Sequence, residues 1–144
     1  MKQENEEFEE YLAECVVIQP GNNLDSDFRR VSSDLAYWAG QHGKAEERYN
    51  FSKITLKKVE AEIMEMATKL PEMGAKPAEW KVKMKAAQDP EVYEAGKEYA
   101  EACGEKKRVE GILDAIKAKR DMLIQMGADM RKEREIELRL KKEY

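Results

Sequence analysis

The sequence has a single histidine, His42, and two cysteines, Cys15 and Cys103. That leaves no second imidazole for a metal site. The two thiols lie far apart in the chain and form no Cys-x-x-Cys pair, so a metal cluster has no support and a thiol-keeping cytosol is the expected setting. Apolar runs are short too, and nothing approaches the roughly 18 residues that a membrane span needs. The start, Met1-Lys2-Gln3-Glu4-Asn5-Glu6-Glu7, is acidic and has no apolar signal core, which argues against secretion. Glycine-rich phosphate loops, Gly-x-Ser-x-Gly and Gly-Lys-Ser/Thr are all missing. Without such constellations the 30 carboxylates read as solvated helix faces. The chain is expected to be no enzyme and to need no cofactor.

Charge and helix formers are what the chain does have. Charged residues make up 39% of it and aromatics 8%, and the mean hydropathy is −0.81, very polar for a compact globule. Such a composition points to long amphipathic helices or a coiled coil. Phe8, Tyr11 and Leu12 predict a short helix over residues 4–14. Cys15-Val16-Val17-Ile18 is a β-prone run, stopped by the turn signal Gln19-Pro20-Gly21-Asn22-Asn23. Asp25 or Ser26 can cap the next helix.

That helix carries the clearest pattern. Phe28, Val31, Leu35, Trp38, His42, Ala45, Tyr49, Ser52, Leu56, Val59, Ile63, Met66 and Leu70 alternate at spacings of three and four. The repeat runs for about six heptads, the period of helices that wind around one another. The seam would extend about 63 Å and needs a partner helix along most of its length. His42 on the seam reads first as a core histidine hydrogen-bonded to a neighbour, ahead of a ligand or switch role. Gly40 and Gly43 beside it predict a kink or a close backbone approach.

Pro71, Gly74 and Pro77 make residues 71–78 a linker within a connection over 71–89. Trp80-Lys81-Val82-Lys83-Met84-Lys85 alternates strictly, the signature of a strand with one wet face. Asp89 and Pro90 can cap and open a third helix running beyond Met130. Its stripe is Val92, Ala95, Tyr99, Ala102/Cys103, Val109, Ile112/Leu113, Ile116, Leu123 and Met130. Gly96, Gly104, Gly111 and Gly127 within it predict close helix approach. The resulting organisation is an acidic N-terminal helix and β-prone segment over 1–23, a helical hairpin core over 24–130, and a charged C-terminal tail over 131–144.

Charge is segregated along the chain. Residues 1–14 hold one lysine against six glutamates, net −5, whereas residues 76–85 hold four lysines against Glu79, net +3. Residues 106–142 hold twelve basic and seven acidic residues, net +5. This split suggests contact with a polyanion in part of the molecule. Lys76, Trp80, Lys81, Lys83 and Lys85 combine phosphate-seeking charge with a ring that can stack on a base. A half-buried strand, with Trp80 in the core and the lysines on the opposite face, accounts for the same residues equally well. Lys53, Lys57 and Lys58 form a second basic patch, for which a solvated coiled-coil face is the default and binding the alternative. Lys117, Lys119 and Arg120 read as surface or phosphate contacts, and the methionines as adaptable packing.

At Leu113-Asp114-Ala115-Ile116-Lys117, followed by Lys119 and Arg120 and then by Asp129-Met130-Arg131, the chain resembles the UvsY-type recombination mediator proteins of bacteriophages. The likeness extends back through Lys85-Ala86-Ala87-Gln88-Asp89-Pro90-Glu91-Val92 and the Tyr99 to Cys103 stretch. It continues to Tyr37-Trp38 with His42, and to Val16-Val17-Ile18. The resemblance implies a non-catalytic helper of homologous recombination that binds single-stranded DNA and loads a RecA-like recombinase where single-strand-binding protein would exclude it. It also implies a closed homo-oligomeric ring of about six to seven subunits, joined partly through C-terminal helices, in the cytoplasm of an infected bacterial host. Ile112, Leu113, Ile116, Leu123 and Met130 are the expected contacts between subunits. The family's basic DNA-contacting tract would fall at Val59-Glu60-Ala61-Glu62, which is acidic here, so that charge is not carried over; the nearest compensation is Lys57 and Lys58, about one turn earlier, or the Trp80 segment.

The expected fold is therefore mainly α: a long helical hairpin of coiled-coil-like helices, with room for a small two-stranded β element from residues 15–18 and 80–84, assembled as a homo-oligomeric ring. Two rivals use the same heptads. One is a coiled-coil scaffold that binds only protein, and the other is a recombinase-binding adaptor without DNA affinity.

Overall fold

The computed structural model describes residues 2–18 and 24–143, with side chains from Glu7 onward. The turn signal at residues 19–23 lies outside them. Four helices follow in order: α1 (Lys2–Val16), α2 (Leu24–Thr68), α3 (Glu79–Ala87) and α4 (Pro90–Glu143). A single 3-10 turn at Pro71–Met73 sits between α2 and α3, and the described residues contain no strand. The chain divides into two compact units, one of Met1–Gly40 with Glu110–Tyr144 and the other of Gln41–Val109.

In the first unit Val31 and Trp38 of α2, Ile116 and Leu123 of α4, and Cys15 of α1 are all buried. The α1 helix runs antiparallel to α2, since Phe8 meets the Trp38 ring at 6.4 Å while Glu14 pairs with Arg30 at 2.6 Å. Lys119 is 2% exposed, and its Nζ donates to the Glu14 carbonyl at 3.1 Å. That carbonyl belongs to the last turn of α1, where no intrahelical donor remains, and a cation there also suits the helix dipole. Lys119 therefore anchors α1 and is not available as a surface or phosphate contact. Its position gives it away: three residues after Ile116 and four before Leu123, it lies on the seam. Asp34, three after Val31 and four before Trp38, is buried in the same way.

Burial pushes the Cys15 thiol above its ordinary 9.0. Burial, with the hydrogen bond to Cys15, raises the Tyr11 phenol to about 12. Both groups hold their protons more tightly folded than unfolded. Their stabilisation is present below about pH 9 and declines as pH rises above it. At neutral pH a thiol reagent is expected to label half-buried Cys103 and to reach Cys15 only on unfolding. Equal labelling rates in the native protein would contradict the packing of α1.

The second unit is a helical hairpin. Arg48 reaches Glu98 and Glu105, Tyr49 lies beside Tyr99, and Ile63 clusters with Val92, so positions climb along α2 as they fall along α4. Its core combines the small residues Ala45, Ser52, Ala67, Ala86 and Ala102 with Ile63, Val82, Val92 and Val109. Arg48 forks between Glu98 and Glu105, and Lys106 pairs with Glu46 at 3.4 Å above the Tyr49 ring. These exposed pairs fix register more than they add stability.

Several expectations are corrected here. The α2 seam is covered by helices of the same chain, so it does not demand a second copy along its length. Beyond Val59 the seam passes to Ile63 and Ala67, which leaves Met66 exposed. A Cβ added at Gly40, Gly43, Gly104 or Gly111 would meet nothing within 4 Å, so these glycines mark no close approach. Asp25 falls in the first turn of α2, with Asp27, where negative charge favours the helix dipole. The forecast for α4 holds: Asp89 Oδ1 accepts from the Glu91 N–H at 2.8 Å, with Pro90 as the first helical residue.

Residues 15–18 and 80–84 form no β element. Val16 ends α1 and Trp80–Met84 lies inside α3. Strict alternation favours a strand only if a neighbour supplies the hydrogen-bond ladder, and a lone strand has none. Glu, Lys, Met and Ala are good helix formers, and an i, i+4 pair, Val82 and Ala86, carries the burial instead. The turn before α3 depends on Gly74, whose φ of 78° is the positive value that side chains disfavour.

Candidate nucleic-acid interface

Helical geometry changes what the Trp80 segment can do. In a strand, Trp80 would face away from the lysines. In α3, Val82 and Ala86 turn toward α2 and α4, while Trp80 and Met84, one turn apart, face outward. Trp80 is 60% exposed. Lys81 Nζ stands 5.6 Å from its ring centroid, and Lys83 lies on the other flank. An aromatic face bordered by ammonium groups is therefore held on a short rigid helix.

The lysines are not equivalent. Lys83 pairs with Glu79 at 2.6 Å, and the hydrogen bond raises the lysine pKa and lowers that of the carboxylate. Lys85 reaches Glu72 at 3.4 Å. Lys76 and Lys81 make no ion pair among the described residues. Phosphate could bind these two without displacing a carboxylate, whereas Lys83 and Lys85 would first have to exchange a partner.

On α2, Lys53, Lys57 and Lys58 are exposed, and they divide between two directions. Lys53 and Lys57 are an i, i+4 pair on the flank that continues to Glu60 and Met64, residues that border α3. Lys53 also lies 5.7 Å from the Tyr49 ring centroid. Lys58 faces elsewhere, beside exposed Phe51 and Ile54, and approaches Glu62 at 3.9 Å. The patch is thus split, and only its Lys53–Lys57 part lies on the flank of α2 that leads to α3.

Compared with known proteins, the chain matches no family model, no curated protein and no solved structure. No helix is long and apolar enough to cross a membrane, and no group of three or more metal-ligating side chains gathers among the described residues. His42 is half-buried on the α2 seam.

The expected subunit contacts divide as well. Ile116 and Leu123 are 0% exposed within a single chain, so they have no surface to offer a second copy. This corrects their assignment: α1 and α2 already cover that side of α4. Ile112 and Leu113 are half-buried, and Met130 is exposed. Ile136, Leu138 and Leu140, read as part of the charged tail, are exposed apolar side chains on the same continuous helix.

Proposed function

We propose that the protein is a recombination mediator: it binds single-stranded DNA as a homo-oligomeric ring and helps a RecA-like recombinase replace single-strand-binding protein. The observation that carries the DNA-binding part is Trp80, exposed on α3 with Lys81 against its ring and with Lys76, Lys83 and Lys85 close by in sequence. Stacking of a base on an aromatic ring contributes about 1–3 kcal/mol, and lysines track the phosphates. The resemblance around Leu113–Lys117 and Lys85–Val92 supplies the mediator role.

Self-association draws support from α4. Residues 129–143 are exposed at every position. An isolated helical stretch of about 15 residues is marginal in water, so Met130, Ile136, Leu138 and Leu140 gain most from packing against another copy. Repetition around a ring would multiply a modest basic patch into a continuous track through avidity. No bond is made or broken in this role.

A second reading, a scaffold that binds protein alone, is favoured by Phe51 and Ile54, two large exposed apolar side chains on the outer face of α2. One titration separates the two. Trp38 is buried and Trp80 exposed, so quenching of tryptophan fluorescence by single-stranded DNA reports on Trp80. The log of the affinity should fall with log salt at about −0.7 per phosphate neutralised. Trp80→Ala should weaken binding roughly fivefold or more, and alanine at Lys81, Lys83 and Lys85 should flatten the salt slope. Failure to bind any strand at low salt would remove the mediator reading and leave the scaffold.

A further inference from the structure

Two adjoining clefts open on the second unit, and Glu60 lines both. One, of about 270 Å³, lies beside α3 and includes Met64 and Lys83. The other, of about 420 Å³, continues between α2 and the start of α4, past Leu56 and Val92, with Tyr93 and Lys97 along α4. Tyr93 is 68% exposed and makes no ring contact among the described residues. Gly96 lines the second cleft, and a Cβ there would lie 4.0 Å from Leu56 Cδ1 and meet no other atom within 4 Å, so a larger side chain at this position would enter the cleft. Glu60 makes no ion pair among the described residues, although lysines stand on either side of it.

We propose that this cleft receives one nucleobase of a bound single strand and that Glu60 selects bases carrying an exocyclic amino group. The proposal rests on the reading above that the protein binds single-stranded DNA. A carboxylate repels phosphates, so the favourable contact Glu60 can make with such a strand is to a base edge. Cytosine presents its N4 amino group, which donates to a carboxylate; thymine presents the O4 acceptor at the same place and is repelled. The apolar floor suits the flat face of a base, and the Tyr93 ring offers a stacking surface. Lys83 and Lys97 bracket the cleft where the flanking phosphates would pass.

The test compares oligo(dC) and oligo(dT) of equal length on the full chain at one low salt concentration, where equal phosphate numbers cancel the counterion term. Oligo(dC) is expected to bind roughly three- to tenfold more tightly, the ratio one solvent-accessible hydrogen bond supports. Glu60→Gln should bring that ratio close to one, because an amide serves both bases. Tyr93→Ala and Gly96→Leu, the second of which fills the cleft without straining the helix, should both weaken oligo(dC) binding and shrink the ratio. Equal binding of the two strands by the unmodified protein, or a ratio unchanged in Glu60→Gln, would overturn the cleft while leaving the DNA-binding reading intact. If neither strand binds, that reading fails and the cleft assignment falls with it.

Discussion

Alanine in place of Leu123 or Ile116 is expected to destabilise the protein by about 2–5 kcal/mol each, the range for emptying a fully buried aliphatic site. Both side chains are wholly enclosed in the first unit, and Lys119 lies between them in sequence with its ammonium group on the Glu14 carbonyl. The loss should appear as a lower denaturant midpoint with the native solution mass unchanged, because the contacts removed are within one chain. An interface residue behaves otherwise: its truncation lowers the solution mass, and with it the share of stability that association supplies. Native-like stability combined with a reduced mass for Leu123→Ala would return it to the subunit interface. Glutamate at Ile136 or Leu140 is the complementary case, where mass should fall while the folded helices persist.

A gain of similar size is expected from the glycines. Gly40, Gly43, Gly104 and Gly111 are helical and exposed, and an added Cβ at each would meet open space. Alanine relieves a helix of about 0.8–1 kcal/mol per glycine. The quadruple variant should therefore gain about 3–4 kcal/mol and melt roughly 10 °C higher, if the four sites act independently. Gly74→Ala should lower stability instead, since φ there is +78°. A quadruple variant that melts no higher than the parent would show that these glycines meet something absent from a single chain, such as another subunit packed against the backbone.

The corrections share a cause. Alternation over Trp80–Lys85 predicts a strand because a pattern of six residues cannot reveal whether a neighbouring strand exists to complete the ladder. The heptad seam of α2 was legible, yet it reads the same whether a second copy or α4 of the same chain covers it. The burial of Lys119 and Asp34 has a signal in the sequence, because both occupy seam spacings that their charge disguises. In the sequence Glu60 is only a departure from a basic tract; that it borders clefts beside α3 and α4 is a product of the packing.

By itself the sequence determined the helical class, the run of α2 along its seam, the cap at Asp89-Pro90 and the residue types able to meet a polyanion. These follow from period, propensity and charge, which are local properties of a chain. Tertiary structure decided which flank of each helix is covered, that Trp80 and Lys81 share an exposed face, and that Ile116 and Leu123 belong to the interior. Those outcomes depend on contacts between residues up to a hundred positions apart, and packing resolves them only when all the helices compete for the same apolar surface at once.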